Sequence, residues 1–172
     1  LFLLLHFLTI EQDHDIGPIH VVAEGRLLVA VEFGEVEHRL MPMLRRRYGA
    51  DISLAPATDL PAAAAIRAYF AGDLRAIDAI TVEGGGTDFQ RQAWAALRRI
   101  PPGETRTYGQ MAAMLGRPGA ARAIGSANAL NPISLVVPCH RLVGGDGAPK
   151  GYGGGIARKR WLLDHERRWA GA

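Results

Sequence analysis

The chain has 172 residues, 48% of them hydrophobic and 22% charged, a globular balance that excludes long disorder and collagen-like or mucin-like chains. That length allows one domain or two small ones around an ordinary buried core. A single cysteine excludes an internal disulfide framework and any multi-cysteine zinc finger. The net charge of +3 hides an asymmetry. Residues 1–87 carry 7 Arg against 12 acidic side chains, and residues 88–172 carry 13 Lys and Arg against 5 acidic ones. Such a split implies two units, the second facing a polyanion, with solubilising surface arginine as the competing reading.

In chain order, the apolar run Leu1-Phe2-Leu3-Leu4-Leu5-His6-Phe7-Leu8 lacks the basic leader and cleavage site of a signal peptide. It is also far shorter than the roughly 20 apolar residues that span a bilayer. It reads as a strand in need of a partner, in a soluble, cytoplasmic protein without a membrane contact. Residues 19–23 and 27–33 are β-rich runs separated by Glu24-Gly25-Arg26, the pattern of a hairpin. Asp59, with Pro61 in the first turn, predicts a capped helix over 62–70 that stops at Gly72. The first half is therefore a small α/β unit with a hairpin and one clear helix, and no catalytic constellation is evident in it.

Gly84-Gly85-Gly86 is the best linker in the sequence, giving domains at 1–86 and 87–172. Thr87-Asp88-Phe89-Gln90 has the form of a capping box and predicts a helix to about Arg99, stopped by Pro101-Pro102-Gly103. Thr107-Tyr108-Gly109-Gln110 is a second box, opening a short helix to Leu115 that Gly116 ends. A further helix is expected over 119–130. Two short helices about a tight turn make a helix-turn-helix candidate. On the second of them Ala121, Ala123, Gly125 and Ser126 are small and Arg122 is the one long basic side chain. Small residues allow close approach to a neighbouring helix or to the minor groove of a duplex.

The lone cysteine stands in Pro138-Cys139-His140-Arg141. An isolated cysteine is usually a small buried hydrophobe, but adjacent His140 and Arg141 favour the thiolate. Asn131-Pro132 lies eight residues earlier, where its amide can tie the turn. Gly144-Gly145-Asp146-Gly147 and Gly151-Tyr152-Gly153-Gly154-Gly155 follow, exposing backbone groups to a flat ligand. The closing segment, 156–169, reads as a helix carrying Glu166, the carboxylate best suited to orient His140.

Six ordered motifs across residues 88–168 give the chain a strong resemblance to the O6-alkylguanine-DNA alkyltransferases. They are Thr107-Tyr108-Gly109-Gln110, Ala121-Arg122-Ala123-Ile124-Gly125, Asn131-Pro132, Pro138-Cys139-His140-Arg141, Gly151-Tyr152-Gly153-Gly154-Gly155 and Trp161-Leu162-Leu163-Asp164-His165-Glu166. The first half matches only loosely, through Ile16-Gly17-Pro18 and the hairpin after it. The resemblance implies a small N-terminal α/β domain with an antiparallel, RNase H-like sheet, and a mostly helical C-terminal domain with a helix-turn-helix.

It implies a function as well: stoichiometric, irreversible transfer of an alkyl group from O6-alkylguanine in double-stranded DNA to one cysteine, by a monomer. Cys139 would accept the alkyl group, His140 would act as base through a water, Glu166 would hold His140, and Asn131 would brace the turn. Tyr108 would assist rotation of the nucleotide and give a proton to the departing guanine. Arg122 would fill the space left by the extruded base, on a DNA-contacting surface with Thr107, Ala121, Ala123, Gly125 and Ser126. Leu142, Tyr152, Gly153 and Gly154 would receive the guanine. Some family members have serine where Gly153 stands, so a hydroxyl contact to O6 is lost here. Some hold a structural zinc through cysteines of the first domain; Cys139 is the sole cysteine, so no metal and no cofactor is expected.

Two other classes compete. A DNA-binding damage sensor without chemistry would need only the helix pair, yet alkyltransferase-like binding proteins replace the cysteine. A cysteine hydrolase using Cys139, His140 and Asn131 lacks an evident oxyanion-hole signature, and sequence neighbours seldom face one another as a dyad.

Overall fold

The computed structural model describes residues 3–35 and 38–171. The chain forms two compact units, Leu1–Gly85 with Pro132–Val136, and Gly86–Asn131 with Val137–Ala172. Among the described residues the architecture is mixed α/β, with one four-stranded sheet and six α-helices.

The first unit is built on the sheet, in strand order β3-β2-β1-β4. β1 (Leu3–Ile10) is the apolar run near the start, and it has partners on both sides. Leu1 and Phe2 of that run lie outside the described residues. β2 (Ile19–Glu24) and β3 (Leu27–Phe33) form the expected hairpin, closed at the Glu24–Leu27 pair by Gly25-Arg26, with Gly25 at φ 59°. β4 (Ile52–Pro56) runs parallel to β1, from Leu3 opposite Ile52 to Phe7 opposite Pro56. The sheet is therefore mixed, which corrects the expectation of an antiparallel one. A five-residue strand that is mostly half-exposed carries too weak a pattern to be read locally, and its terminal Pro56 suits only an edge.

A second helix forms here, α1 (Leu40–Tyr48), which the sequence reading did not expect. It has no side-chain N-cap, and only Leu40 and Leu44 are buried, one turn apart, against Leu5, Val22, Val29 and Ala30 of the sheet. Arg45, Arg46 and Arg47 in its last turn suit the negative end of the helix dipole. α2 (Ala63–Phe70) starts later than expected, because Asp59 accepts from Leu60 N, its immediate neighbour, rather than capping the helix. Residues 132–136 join this unit at the edge of β3: Val31 N donates to Pro132 O and Ser134 N to Val31 O. Leu135 there is fully buried yet has φ 73°, so the apolar run 135–137 is buried without being a strand.

The second unit holds four helices, α3 (Asp88–Leu97), α4 (Tyr108–Met114), α5 (Ala121–Ala129) and α6 (Ile156–Ala170). Both capping boxes form. Thr87 Oγ1 accepts from Gln90 N and Gln90 Oε1 from Thr87 N; Thr107 and Gln110 repeat the pattern at 3.1 and 2.9 Å. α5 starts two residues later than expected. α3 is locked to α5 by Trp94, whose Nε1 donates to Ala127 O at 2.8 Å. A short parallel pair, β5 (Arg106–Thr107) with β6 (Leu142–Val143), sets Arg106 opposite Leu142 and Thr107 opposite Val143. Gly103 has φ 87°, and a Cβ there would stand 2.6 Å from the Cβ of Ala170, so the turn after α3 closes onto α6 only without a side chain. Among the described residues no helix is long and apolar enough to cross a membrane.

Candidate active site

Cys139 opens a single 3-10 turn, Cys139–Arg141, that leads straight into β6. Pro138 precedes it, and Arg141 N closes the turn on Pro138 O at 3.0 Å. Val137 O is the local anchor: it accepts from Cys139 N at 2.8 Å and from Asn131 Nδ2 at 2.8 Å. Asn131 is thus tied to the backbone beneath the cysteine. Cys139 is buried, with 5% of its surface exposed.

His140 and Arg141 both turn onto Glu166 of α6. His140 Nε2 stands 2.5 Å from Glu166 Oε1, and Arg141 Nε donates to Oε1 at 2.8 Å and to Oε2 at 3.0 Å. His140, Arg141 and Glu166 are all buried. Arg141 NH1 donates to Ile100 O at 2.6 Å, which joins the end of α3 to the same cluster. Burial opposes charge on Glu166, but attraction and hydrogen bonds from His140 and Arg141 outweigh it and hold the carboxyl at about 2. Burial is also the largest influence on His140 and lowers its pKa, against the pull of Glu166. The arrangement that reconciles the two is a neutral imidazole donating its Nε2–H to an ionised Glu166. His140 Nδ1 makes no hydrogen bond within the described residues, which leaves its lone pair unused in that tautomer.

Tyr108, the first residue of α4, reaches the site by way of the β5–β6 pair. Desolvation raises its pKa, and negative charge at Cys139 raises it further, while a hydrogen bond with Asn128 opposes both. The phenol therefore stays protonated at neutral pH and remains a donor. Asn128 of α5 also donates from Nδ2 to Cys139 O at 3.3 Å. Sequence reasoning missed this residue, which bridges Tyr108 and the cysteine. The available signal was a lone amide among the mostly small side chains of α5.

Arg122, Ala123 and Ser126 are exposed on α5, and Ala121 and Gly125 are half-buried. A Cβ on Gly125 would lie 3.8 Å from the Tyr108 ring, so α4 and α5 pack closely at that point. Thr107 is half-buried and engaged in its capping box. Leu142 in β6 is buried; past the strand, Gly154 is buried, Tyr152 is half-buried and Gly153 is exposed. Tyr152 O accepts from Gly155 N at 2.9 Å, which curls this loop into the start of α6. Lys159, also absent from the sequence reading, is wholly buried on α6. Among the described residues no three or more His, Cys, Asp or Glu side chains converge as a metal site would require.

A buried cysteine next to a histidine–carboxylate pair, on a helical unit of net positive charge, has the make-up of a protein with a cysteine nucleophile. Residues 88–168 match the family model for the DNA-binding domain of 6-O-methylguanine DNA methyltransferase. The methylated-DNA–protein-cysteine methyltransferase of Shigella flexneri is 46% identical over 154 residues, covering 88% of this chain and 90% of its own. That of Mycobacterium bovis is 43% identical over 169 residues, covering 98% and 96%. The crystal structure of Mycobacterium tuberculosis OGT in complex with DNA superposes with a TM-score of 0.77 at 39% identity, over 95% of this chain and 93% of that one. The chain belongs to the methylated-DNA–protein-cysteine methyltransferase family.

Proposed function

We propose that this protein repairs DNA directly, by moving an alkyl group from O6 of guanine in a duplex onto Sγ of Cys139 in a single, irreversible turnover. The observation that carries the reading is the buried His140–Glu166 pair, with 2.5 Å between Nε2 and Oε1, directly following the buried Cys139 in the chain. In the displacement the S–C bond forms as the C–O6 bond breaks, and the bonding pair leaves with guanine. His140 Nδ1 takes the thiol proton through a water, and Tyr108 supplies a proton to the departing base. The product is a thioether with no easy leaving path, so one molecule is consumed per lesion.

Magnitudes say which parts matter most. A thiol of pKa ~8.5 is roughly 3% ionised at neutral pH, so complete ionisation gains at most about 30-fold. Holding sulfur and carbon in near-attack geometry is worth up to ~7–11 kcal/mol. Extrusion and seating of the base therefore dominate over the relay. Extrusion costs a few kcal/mol, which Arg122 offsets by filling the gap in the stack. We read α4 and α5 as a helix-turn-helix whose small-residue face, Ala121, Ala123, Gly125 and Ser126, meets the minor groove, with Thr107 at its edge. The basic balance of residues 88–172 supports phosphate-led binding without sequence preference. Leu142, Tyr152, Gly153 and Gly154 form the receiving pocket, and Asn131 braces its floor at Val137 O. The order β3-β2-β1-β4, with β4 parallel to β1, supports an RNase H-like reading of the first unit.

The reading as a sensor without chemistry is not favoured, since the similar proteins carry the name of cysteine methyltransferases at high identity and coverage. The test is intact-mass measurement after incubation with O6-methylguanine duplex. One added CH2 unit per chain, absent in Cys139→Ala, is the expected result. Repeated turnover, or an adduct in Cys139→Ala, would overturn the proposal.

A further inference from the structure

Lys159 lies near the start of α6 and is 0% exposed, a position lysine almost never takes without a partner. Among the described residues it forms no ion pair with a carboxylate. Its three ammonium donors meet three backbone carbonyls instead: Leu142 O at 2.5 Å, Lys150 O at 2.8 Å and Gly151 O at 3.4 Å. Leu142 belongs to β6, immediately after the Cys139 turn, whereas Lys150 and Gly151 begin the glycine-dense loop that leads to Tyr152 and Gly153. The neighbouring Arg158 donates from NH1 to Gly154 O at 3.0 Å. Two adjacent side chains of one helix thus hold the loop on both sides of Tyr152-Gly153. A segment so rich in glycine loses much conformational freedom when ordered, and it needs fixed ties of this kind to keep one shape.

We propose that Lys159 is a positioning residue for base recognition: its ammonium ties the Lys150-Gly151 end of the loop to β6 and so fixes the width of the pocket that receives the guanine. The proposal rests on the reading of Cys139 as acceptor and of Leu142 and Gly153 as base-reading groups. A carbonyl oxygen has two lone pairs, so Leu142 O can accept from Lys159 and still accept from an exocyclic amine of the base. Burial lowers the ammonium to about 8, and negative charge at Cys139 counteracts this, which sets the cation within electrostatic reach of the sulfur. A wholly buried ammonium held by carbonyls is consistent with a fixed strut between loop and strand.

The test uses the full chain with Lys159→Met, which keeps the length and removes the donors, and Lys159→Gln, which keeps two N–H donors without charge. Each variant is assayed for reaction of Cys139 with free O6-benzylguanine, for alkylation of Cys139 by iodoacetamide, and for amide exchange at residues 150–155. Lys159→Met is expected to lose about 100-fold on O6-benzylguanine, the scale of a misplacement near 1 Å, chiefly through weaker saturable binding. Iodoacetamide, which needs no pocket, should react at a rate changed far less, and amides 150–155 should exchange faster while those of α3 do not. Lys159→Gln should fall between wild type and Lys159→Met, which keeps the test readable if the Met variant fails to fold. Equal losses on both reagents, or unchanged O6-benzylguanine reaction in a folded variant, would overturn the proposal. If the wild-type protein gives no adduct with O6-benzylguanine, the same comparison of variants is read on O6-methylguanine duplex, and the absence of a wild-type adduct there as well places the failure with Cys139 as acceptor instead.

Discussion

Arg141 grips Glu166 with one nitrogen on both oxygens, at 2.8 and 3.0 Å, inside the same cluster where His140 meets Oε1. The permanent cation keeps the carboxylate ionised in a buried setting, and the carboxylate in turn fixes the imidazole. Arg141 therefore acts on His140 without touching it through a hydrogen bond, a role its sequence position beside the histidine does not disclose.

Arg141→Met should destabilise the protein strongly, because it strands a buried carboxylate. Removing one partner of a buried pair costs about 3–5 kcal/mol. Urea unfolding monitored by tryptophan fluorescence checks this, and a loss below ~1 kcal/mol would mean that Glu166 finds water or another cation.

Stability should fall with acid in two stages. His140 is held below its ordinary value, so between 6.5 and that lower value the unfolded chain binds a proton that the folded one does not, and stability drops as pH falls. Glu166 is held at about 2 against 4.5, so its contribution is present above 4.5 and is lost as pH falls toward 2. Thermal melts from pH 7 to 3 should show both, and Glu166→Gln should flatten the lower stage. An unchanged slope in that variant would contradict an ionised Glu166.

Tyr108→Phe keeps the ring against α5 and removes the donor. Alkyl transfer should slow by roughly 10²–10⁴, the usual share of a general acid, with DNA affinity little altered. Asn128→Ala removes a bond to Cys139 O as well as one to Tyr108, so it should slow transfer and also cost about 1 kcal/mol of stability. Single-turnover kinetics beside a melting curve separates the two effects; an Asn128→Ala protein with wild-type rates would remove Asn128 from the site.

Arg122→Ala should lose far more on O6-methylguanine in a duplex than on free O6-benzylguanine, because only the duplex presents a gap to fill. Matched losses on the two substrates would contradict the extrusion role. On the wild-type protein, log affinity for duplex should fall linearly with log salt as counterions are released, and a flat dependence would contradict phosphate-led binding.

The sequence determined those features whose chemistry is local. The capping boxes at Thr87 and Thr107 join residues three apart, and the β2–β3 hairpin closes over two residues, so residue types alone announce them. The family likewise was legible, because its motifs are contiguous and keep their order. Tertiary structure decided the rest. The parallel pairing of β4 with β1, the burial of α1 by two leucines, and the joining of residues 132–136 to the edge of β3 rest on partners far along the chain. The site follows the same rule: Arg141 reaches Ile100 across 41 residues, and Lys159 reaches Leu142 across 17. No periodicity or spacing marks such pairs, since a buried cation is defined by the carbonyls and carboxylates that folding gathers around it.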